Sequence, residues 1–142
     1  CTPDKILLKE LFLKDRDFDV THYIRPALLR DRIVLLDRYY YSNAAYQSDS
    51  TEEAVVVLET NRKLGFPEPD LIFYLAIRPQ DALARIDVRG EENRECFDKL
   101  DVLERIDTIY RAILPQETFF IDATRPVDEI TAAIVQEISR VL

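Results

Sequence analysis

The sequence predicts an α/β fold in which helices flank a parallel sheet. Three short apolar runs predict the strands, at residues 32–36, 71–77 and 119–121. The runs are continuous rather than alternating, which is typical of strands buried on both faces. Helical patterns separate them, and strands that alternate with helices pair in parallel.

Composition limits the class of protein. The 142 residues are 47% hydrophobic, which suits one domain over residues 1–142 with a real core. No apolar run approaches the ~18 residues of a membrane span, so we expect a cytoplasmic protein without a membrane partner. The net charge of −8 argues against binding to polymeric nucleic acid. Cys1 and Cys96 lack metal-ligand spacing and are expected to be free thiols.

Turn and cap residues set the expected helix ends. Residues 18–29 have helical spacing, with a kink expected at Pro26. Residues 50–53 have capping-box spacing and predict a helix that runs to Leu64 and ends at Gly65. Further helices are predicted from Thr2, from Pro79 to about Val88, from Phe97 to Leu114 and from Pro126 to Leu142.

Chemistry is expected where the first predicted strand ends, at Asp37 and Arg38, because open parallel sheets bind ligands beyond the carboxyl ends of their strands. Asp37 either helps to order Mg²⁺ or caps the next turn. Arg38 either binds a phosphate through two parallel hydrogen bonds or forms a surface ion pair. In the predicted loop 39–47, Asn43 offers one donor and one acceptor, which suits a pyrimidine edge.

Here the sequence resembles a known family. Asp37-Arg38-Tyr39-x-x-Ser42-x-x-Ala45-Tyr46-Gln47 is similar to the Asp-Arg-Tyr segment of thymidylate kinases. The resemblance implies a three-layer P-loop NTPase-type fold, with a parallel sheet flanked by helices. Further matches in family order lie at residues 11–16, 24–28, 69–71, 82–86, 97–98 and 121–123.

The resemblance implies roles on the acceptor side of the site. Phe12 would stack on thymine, Arg16 would donate to a base carbonyl, and Asn43 would read the ring nitrogen. A core phenylalanine and a solvated arginine are the alternatives for the first two residues. Tyr46 would lie near the sugar, where its bulk disfavours a 2′-hydroxyl, and Gln47 would also bind the substrate.

The resemblance also implies a transfer mechanism and an ATP side. Arg38 would hold the acceptor phosphate, and Asp37 would lie on the Mg²⁺ side. Lid cations would come from Arg85, Arg89 and Arg94, although a solvated loop explains the last two equally well. Thr124 and Arg125 would lie against the adenine of ATP. The family is typically a homodimer, and the apolar faces of the first two helices permit one.

One family feature is absent from the sequence. G-x-x-x-x-G-K-[ST], the loop that cradles ATP phosphates, does not occur, and the only glycines are Gly65 and Gly90. The chain as written is therefore not expected to transfer phosphate. We expect an upstream segment in the natural protein that carries this loop and the central strand of the sheet. Residues are also expected to be missing near 47–50, where the connector is short.

The resulting hypothesis is a nucleoside monophosphate kinase that uses ATP and Mg²⁺ to convert dTMP to dTDP in dTTP biosynthesis. One alternative is a kinase of the same fold that acts on a deoxynucleoside or on another monophosphate. The other is a non-catalytic nucleotide-binding protein that has lost the loop.

Overall fold

A computed structural model describes residues 5–89 and 99–142. In these ranges the helices are α1 (Lys5–Asp19), α2 (Arg25–Leu28), α3 (Tyr40–Gln47), α4 (Thr51–Lys63), α5 (Pro79–Arg89), α6 (Leu100–Ile113) and α7 (Val127–Val141). A π-helical turn, Val20–Ile24, joins α1 to α2, and the strands are β1 (Phe73–Ala76) and β2 (Phe119–Asp122). The described residues divide into two compact units, 1–68 with 104–113 and 69–103 with 114–142. The single domain over 1–142 stays a prediction.

The two strands lie in the second unit and pair in parallel, with Phe73 opposite Phe119 and Ala76 opposite Asp122. Ring contacts reinforce this register, since the ring centroids of Phe73 and Phe119 lie 5.5 Å apart. The predicted α/β class with a parallel sheet is confirmed. Two of the three predicted strands form, each within the predicted residues or one residue beyond them.

The strand predicted first along the chain, at residues 32–36, does not form. Residues 32–36 belong to no strand, and the side chains of Ile33 and Leu35 are 64% and 81% exposed. A strand exists only when a neighbour satisfies its backbone N–H and C=O groups. The neighbour that the sequence predicts, the central strand with the phosphate loop, is not among these residues. The buried strand predicted at 32–36 is therefore wrong for this chain.

A small apolar core in the first unit includes the turn that follows α1. Val20, Ile24 and Phe66 are buried together, with Leu13, Val34 and Tyr39 packed around them. Val20 and Ile24 belong to the π-helical turn, in which the Arg25 N–H donates to the Val20 carbonyl. The distortion lies immediately before Pro26, whose ring would clash with a carbonyl of the preceding turn in a regular α-helix. The structure thus has a π-helical turn next to the position where the sequence predicted a kink.

Helix α4 has the ends that the sequence predicts. The Ser50 hydroxyl oxygen accepts a hydrogen bond of 3.3 Å from the Glu53 N–H. The Glu53 carboxylate in turn accepts one of 3.1 Å from the Asp49 N–H. After Leu64, Gly65 has φ = +70°, a left-handed conformation that glycine adopts without a steric penalty. Both the capping box and the glycine stop are confirmed.

Helix α3 was not predicted, because its aromatic and polar residues suggested a loop over 39–47. In the structure Tyr40 and Tyr41 occupy its first turn and Ala44 and Ala45 its second, and all four are buried. Alanine is the best helix former, and the spacing places these four residues on one apolar side. The loop prediction is therefore wrong.

Candidate functional site

A cavity of about 320 Å³ lies in the first unit between three helices. The residues of each wall have helical spacing, so each helix presents one face to the cavity. The walls are Lys9, Phe12, Leu13 and Arg16 on α1; Asn43 and Gln47 on α3; and Glu53, Val56, Val57, Thr60 and Asn61 on α4. The volume is at the lower end of the range for small-molecule sites. Phe12, Arg16, Asn43 and Gln47, which the sequence predicted as substrate-binding, all line this cavity.

The Arg16 guanidinium crosses from α1 to the other two helices. It donates through Nη1 to Asn61 Oδ1 at 3.0 Å and through Nη2 to Asn43 Oδ1. Its central carbon also lies 5.2 Å from the centroid of the Tyr39 ring, a cation–π contact. The solvated arginine considered from the sequence is thus replaced by one held on three sides.

Burial lowers the pKa of the Arg16 guanidinium, while the neighbouring Tyr39 and Asp15 oppose that shift. An arginine stays protonated in proteins even after such a shift. Both asparagines that accept its hydrogen bonds are neutral. The cavity therefore contains a desolvated cation whose charge these two partners do not cancel.

Phe12 is 41% exposed and lies in the wall of the cavity. The alternative of a core phenylalanine does not hold, because the ring is only partly covered. A partly exposed aromatic face beside fixed polar groups can stack on a planar ring, and such stacking contributes about 1–3 kcal/mol per base.

Arg38 and Tyr46 form a second polar group in the same unit. The Arg38 guanidinium carbon lies 4.9 Å from the centroid of the Tyr46 ring. Arg38 has φ = +70°, which is uncommon for a residue other than glycine. Such conformations cost about 1–3 kcal/mol and often occur at functional sites. The backbone conformation of Arg38 and the Tyr46 ring together set the direction of the exposed guanidinium.

Asp37 is exposed, and the structure gives its carboxylate no partner within the described ranges. The alternative of a cap for the following turn is not realised, since α3 begins at Tyr40 with no side-chain cap. Within those ranges, His, Cys, Asp and Glu side chains form no group of three or more that could hold a metal ion. Mg²⁺ in phosphoryl-transfer sites needs only one or two carboxylates, with the substrate phosphates supplying other ligands, so Asp37 fits that role.

Two residues that support this site were missed by the sequence reasoning. Asn61 is fully buried and bonded to Arg16. Tyr110 on α6 donates a hydrogen bond of 2.8 Å to the Ser42 hydroxyl, and its ring meets the Tyr46 ring edge-on. Burial raises the pKa of Tyr110, so its hydroxyl stays protonated at neutral pH. An amide within an apolar helix pattern was the only signal for Asn61, and Tyr110 had none.

The predicted ATP-side residues that the structure describes lie in the second unit, Arg85 on α5 and Thr124 and Arg125 after β2. The Asp122 carboxylate accepts from both the N–H and the hydroxyl of Thr124, at 2.8 and 2.7 Å. Arg85 donates to the Ala123 carbonyl at 2.9 Å, which ties α5 to this turn. Arg125 pairs with Glu129 instead of standing alone. Arg94 lies outside the described residues, and of Arg89 only the backbone, at the end of α5, is described.

No helix in the described part of the chain combines the length and apolar content needed to cross a bilayer.

Comparison with known proteins agrees with the resemblance. The thymidylate kinase family model matches residues 2–134. Thymidylate kinase from Leptospira borgpetersenii is 45% identical over 121 residues, which cover 85% of this chain and 58% of that protein. A probable thymidylate kinase from Archaeoglobus fulgidus is 40% identical over 121 residues, or 85% of this chain and 60% of the relative. Thymidylate kinase from Desulfotalea psychrophila is 36% identical over 134 residues, or 94% and 65%.

The chain thus spans about three fifths of the length of the first of these relatives. The family model itself covers far more than half of the chain. The chain belongs to the thymidylate kinase family.

Proposed function

We propose that the protein to which this chain belongs transfers the γ-phosphate of ATP to dTMP, giving dTDP. The observation that carries the proposal is the Arg16–Asn43 pair in a cavity walled on one side by Phe12. The comparisons support the same activity, because the relatives named above are thymidylate kinases.

The chemistry of the pair favours a thymine or uracil edge. Thymine offers a carbonyl acceptor at position 4 and an N–H donor at position 3. Arg16 has only donors, and Asn43 Oδ1 keeps a second lone pair beside the one that Arg16 uses. Cytosine reverses both groups, so it would place an amino donor against the guanidinium and leave polar groups unpaired, which is costly in a partly buried site.

The remaining acceptor contacts involve Arg38 and two residues of α3, Tyr46 and Gln47. Arg38 holds the 5′-phosphate of dTMP, since a guanidinium can donate two parallel hydrogen bonds to phosphate oxygens. Tyr46, which fixes Arg38 through its ring, lies by the sugar with Gln47 and disfavours a ribose 2′-hydroxyl. These residues act by positioning the acceptor and neutralising its charge, with no covalent intermediate.

Mg²⁺ and the ATP side complete the proposal. Asp37 would hold Mg²⁺, which neutralises charge on the phosphates when bound. Thr124 and Arg125 bind the adenine end of ATP, and Arg85 supports their turn through Ala123. Arg89 and Arg94 belong to the lid that supplies cations during transfer. We place this activity in the cytoplasm, where ATP and free nucleotides occur.

A homodimer belongs to the same proposal. Leu7, Leu11 and Phe18 on α1 are each about half exposed and lie close to one side of the helix. An apolar strip of this kind is a typical protein interface. Sedimentation equilibrium tests it, because a monomer at micromolar concentration would contradict the dimer.

The activity is tested by ADP release from the full-length protein with dTMP, dUMP, dCMP or thymidine as acceptor. We expect turnover with dTMP, weaker use of dUMP, and little with dCMP or thymidine. Arg16→Met should lower kcat/KM for dTMP by roughly 100-fold, since it removes the charged donor in the cavity. The matched control is Arg62→Met on α4, whose guanidinium pairs with Glu68 outside the cavity and should leave kcat/KM unchanged. Turnover of thymidine without turnover of dTMP would refute the proposal.

A further inference from the structure

Helix α4 contains one amide side chain, that of Asn61, and this side chain is completely buried. Burying a polar side chain is costly unless its groups find partners. Each polar group of Asn61 has a partner. Its Nδ2 donates to the Val57 carbonyl at 2.7 Å, and its Oδ1 accepts from Arg16 Nη1 at 3.0 Å. The side chain thus connects the backbone of α4 to the guanidinium of α1.

The orientation of this amide is fixed by chemistry. A carbonyl oxygen can only accept, so the Val57 oxygen must face the NH₂ group of Asn61. A guanidinium can only donate, so Arg16 must face the carbonyl oxygen of Asn61. Each contact alone determines the same orientation, and a flipped amide would lose both hydrogen bonds.

Asn61 restricts what Arg16 can do. A long arginine side chain normally loses considerable rotamer entropy when it is ordered. Here Nη1 is held by Asn61 and Nη2 by Asn43, so the plane of the guanidinium is set by two points on two different helices. The donors that these bonds leave free then have a fixed direction before any ligand enters.

The neutrality of Asn61 matters as much as its geometry. An aspartate at this position would accept the same hydrogen bond but would neutralise the guanidinium through a buried ion pair. A neutral acceptor orients the cation and leaves its charge available to a carbonyl oxygen in the cavity. An apolar residue of the same size would leave the charge intact but free to turn.

We propose that Asn61 is a positioning residue for base selection, which holds the Arg16 guanidinium in the plane that a 4-oxo pyrimidine requires. This inference rests on the proposed function and deepens it, because it assigns discrimination between 4-oxo and 4-amino bases to a residue with no exposed surface. Asn61 acts through Arg16 and is not itself a catalytic residue.

The test compares three variants in the full-length protein. Asn61→Leu keeps the size of the side chain and removes the acceptor. Asn61→Ser shortens it, so that it can still bond the Val57 carbonyl but cannot reach Arg16. Asn61→Asp keeps the acceptor for Arg16 but adds a negative charge, so it tests whether the neutrality of the side chain matters. The matched control is Leu58→Ala, which opens a buried position on the same helix outside the cavity wall.

We expect Asn61→Leu and Asn61→Ser to raise the KM for dTMP about 10-fold while kcat changes less than about twofold, as for loss of one hydrogen bond to a charged group. The preference for dTMP over dCMP should fall by a similar factor. Asn61→Asp should also raise the KM for dTMP, because its carboxylate neutralises the guanidinium and cannot donate to the Val57 carbonyl. Leu58→Ala should lower the melting temperature without changing KM or preference.

Opposite results separate the two levels of the inference. Wild-type turnover of dTMP together with an unchanged KM and preference in a folded Asn61→Leu or Asn61→Ser variant would overturn the role of Asn61 alone. Equal KM changes in Leu58→Ala would also overturn it, since the effect would then follow stability. A wild-type protein that neither binds nor phosphorylates dTMP would refute the proposed function, and this inference with it.

Discussion

The loop after α3 contains the contact whose removal we expect to destabilise the protein most clearly. Arg105 on α6 donates through Nη1 to the carbonyl oxygen of Ser48, the residue that ends α3. The same nitrogen lies 3.4 Å from the carboxylate of Asp49. A cation at the carboxyl end of a helix also interacts favourably with the helix dipole. Arg105→Met removes all three interactions.

The surroundings decide which interaction dominates. The Arg105 side chain is 27% exposed and Ser48 is fully buried, whereas the Asp49 side chain is 62% exposed. A hydrogen bond from a charged group to a buried carbonyl contributes about 1.5–3 kcal/mol. An exposed ion pair contributes about 0–1 kcal/mol and less in high salt. We therefore expect Arg105→Met to lower the free energy of unfolding by about 2 kcal/mol and Asp49→Asn to lower it by less than about 0.5 kcal/mol.

Urea unfolding measures both variants, provided that the slope of the free energy against urea stays constant. Raising the salt concentration should leave the Arg105→Met loss nearly unchanged. If Asp49→Asn cost as much as Arg105→Met, or if the loss vanished in salt, the ion pair would be the dominant interaction and the reasoning from burial would be wrong. Since α3 carries Asn43 into the cavity, Arg105→Met should also weaken dTMP binding.

Two further changes test local features of the fold. Gly65→Ala should lower the free energy of unfolding by roughly 1–2 kcal/mol, because φ is +70° at this position. The cost comes from the backbone alone, since the nearest side-chain atom, Arg25 Nη2, would be in ordinary contact with the new Cβ. An unchanged urea midpoint would contradict the left-handed turn. The hydroxyl and N–H of Thr124 lower the pKa of Asp122, so the turn gains stability above the ordinary aspartate pKa and loses it as the pH falls through the lowered value. Thr124→Val should move the pKa of Asp122 upward in an NMR titration, and no movement would refute this assignment.

The sequence predicted those parts of the fold that depend on short-range patterns. Ser50 and Glu53 cap α4 as their spacing indicated, and Gly65 ends it. These features depend on residues three or four positions apart, which a single sequence displays directly. The strand predicted at 32–36 failed for the opposite reason, because a strand requires a partner distant in sequence.

Within the candidate site, the sequence predicted only those residues that the resemblance to the family assigned. Phe12, Arg16 and Asn43 were assigned from matching segments, and the structure brings them to one cavity. Asn61 and Tyr110 were not assigned, because their hydrogen bonds join residues 45 and 68 positions apart. Nothing in the local pattern of either residue indicates such a partner.

The error over residues 39–47 bears most on function. Had this segment been a loop, each of its polar side chains would have needed its own support. As a helix, α3 places Asn43 and Gln47 one turn apart on the same face, beside the face of its buried tyrosines and alanines. Its apolar packing therefore orients the polar residues as a by-product. Sites carried by helices are held more firmly than sites on loops, and the eleven described residues that line the cavity lie on α1, α3 or α4. The geometry that selects a base is thus carried by side chains on three packed helices, so a substitution of a buried side chain that holds Arg16, such as Asn61→Leu, should change substrate preference without touching the substrate.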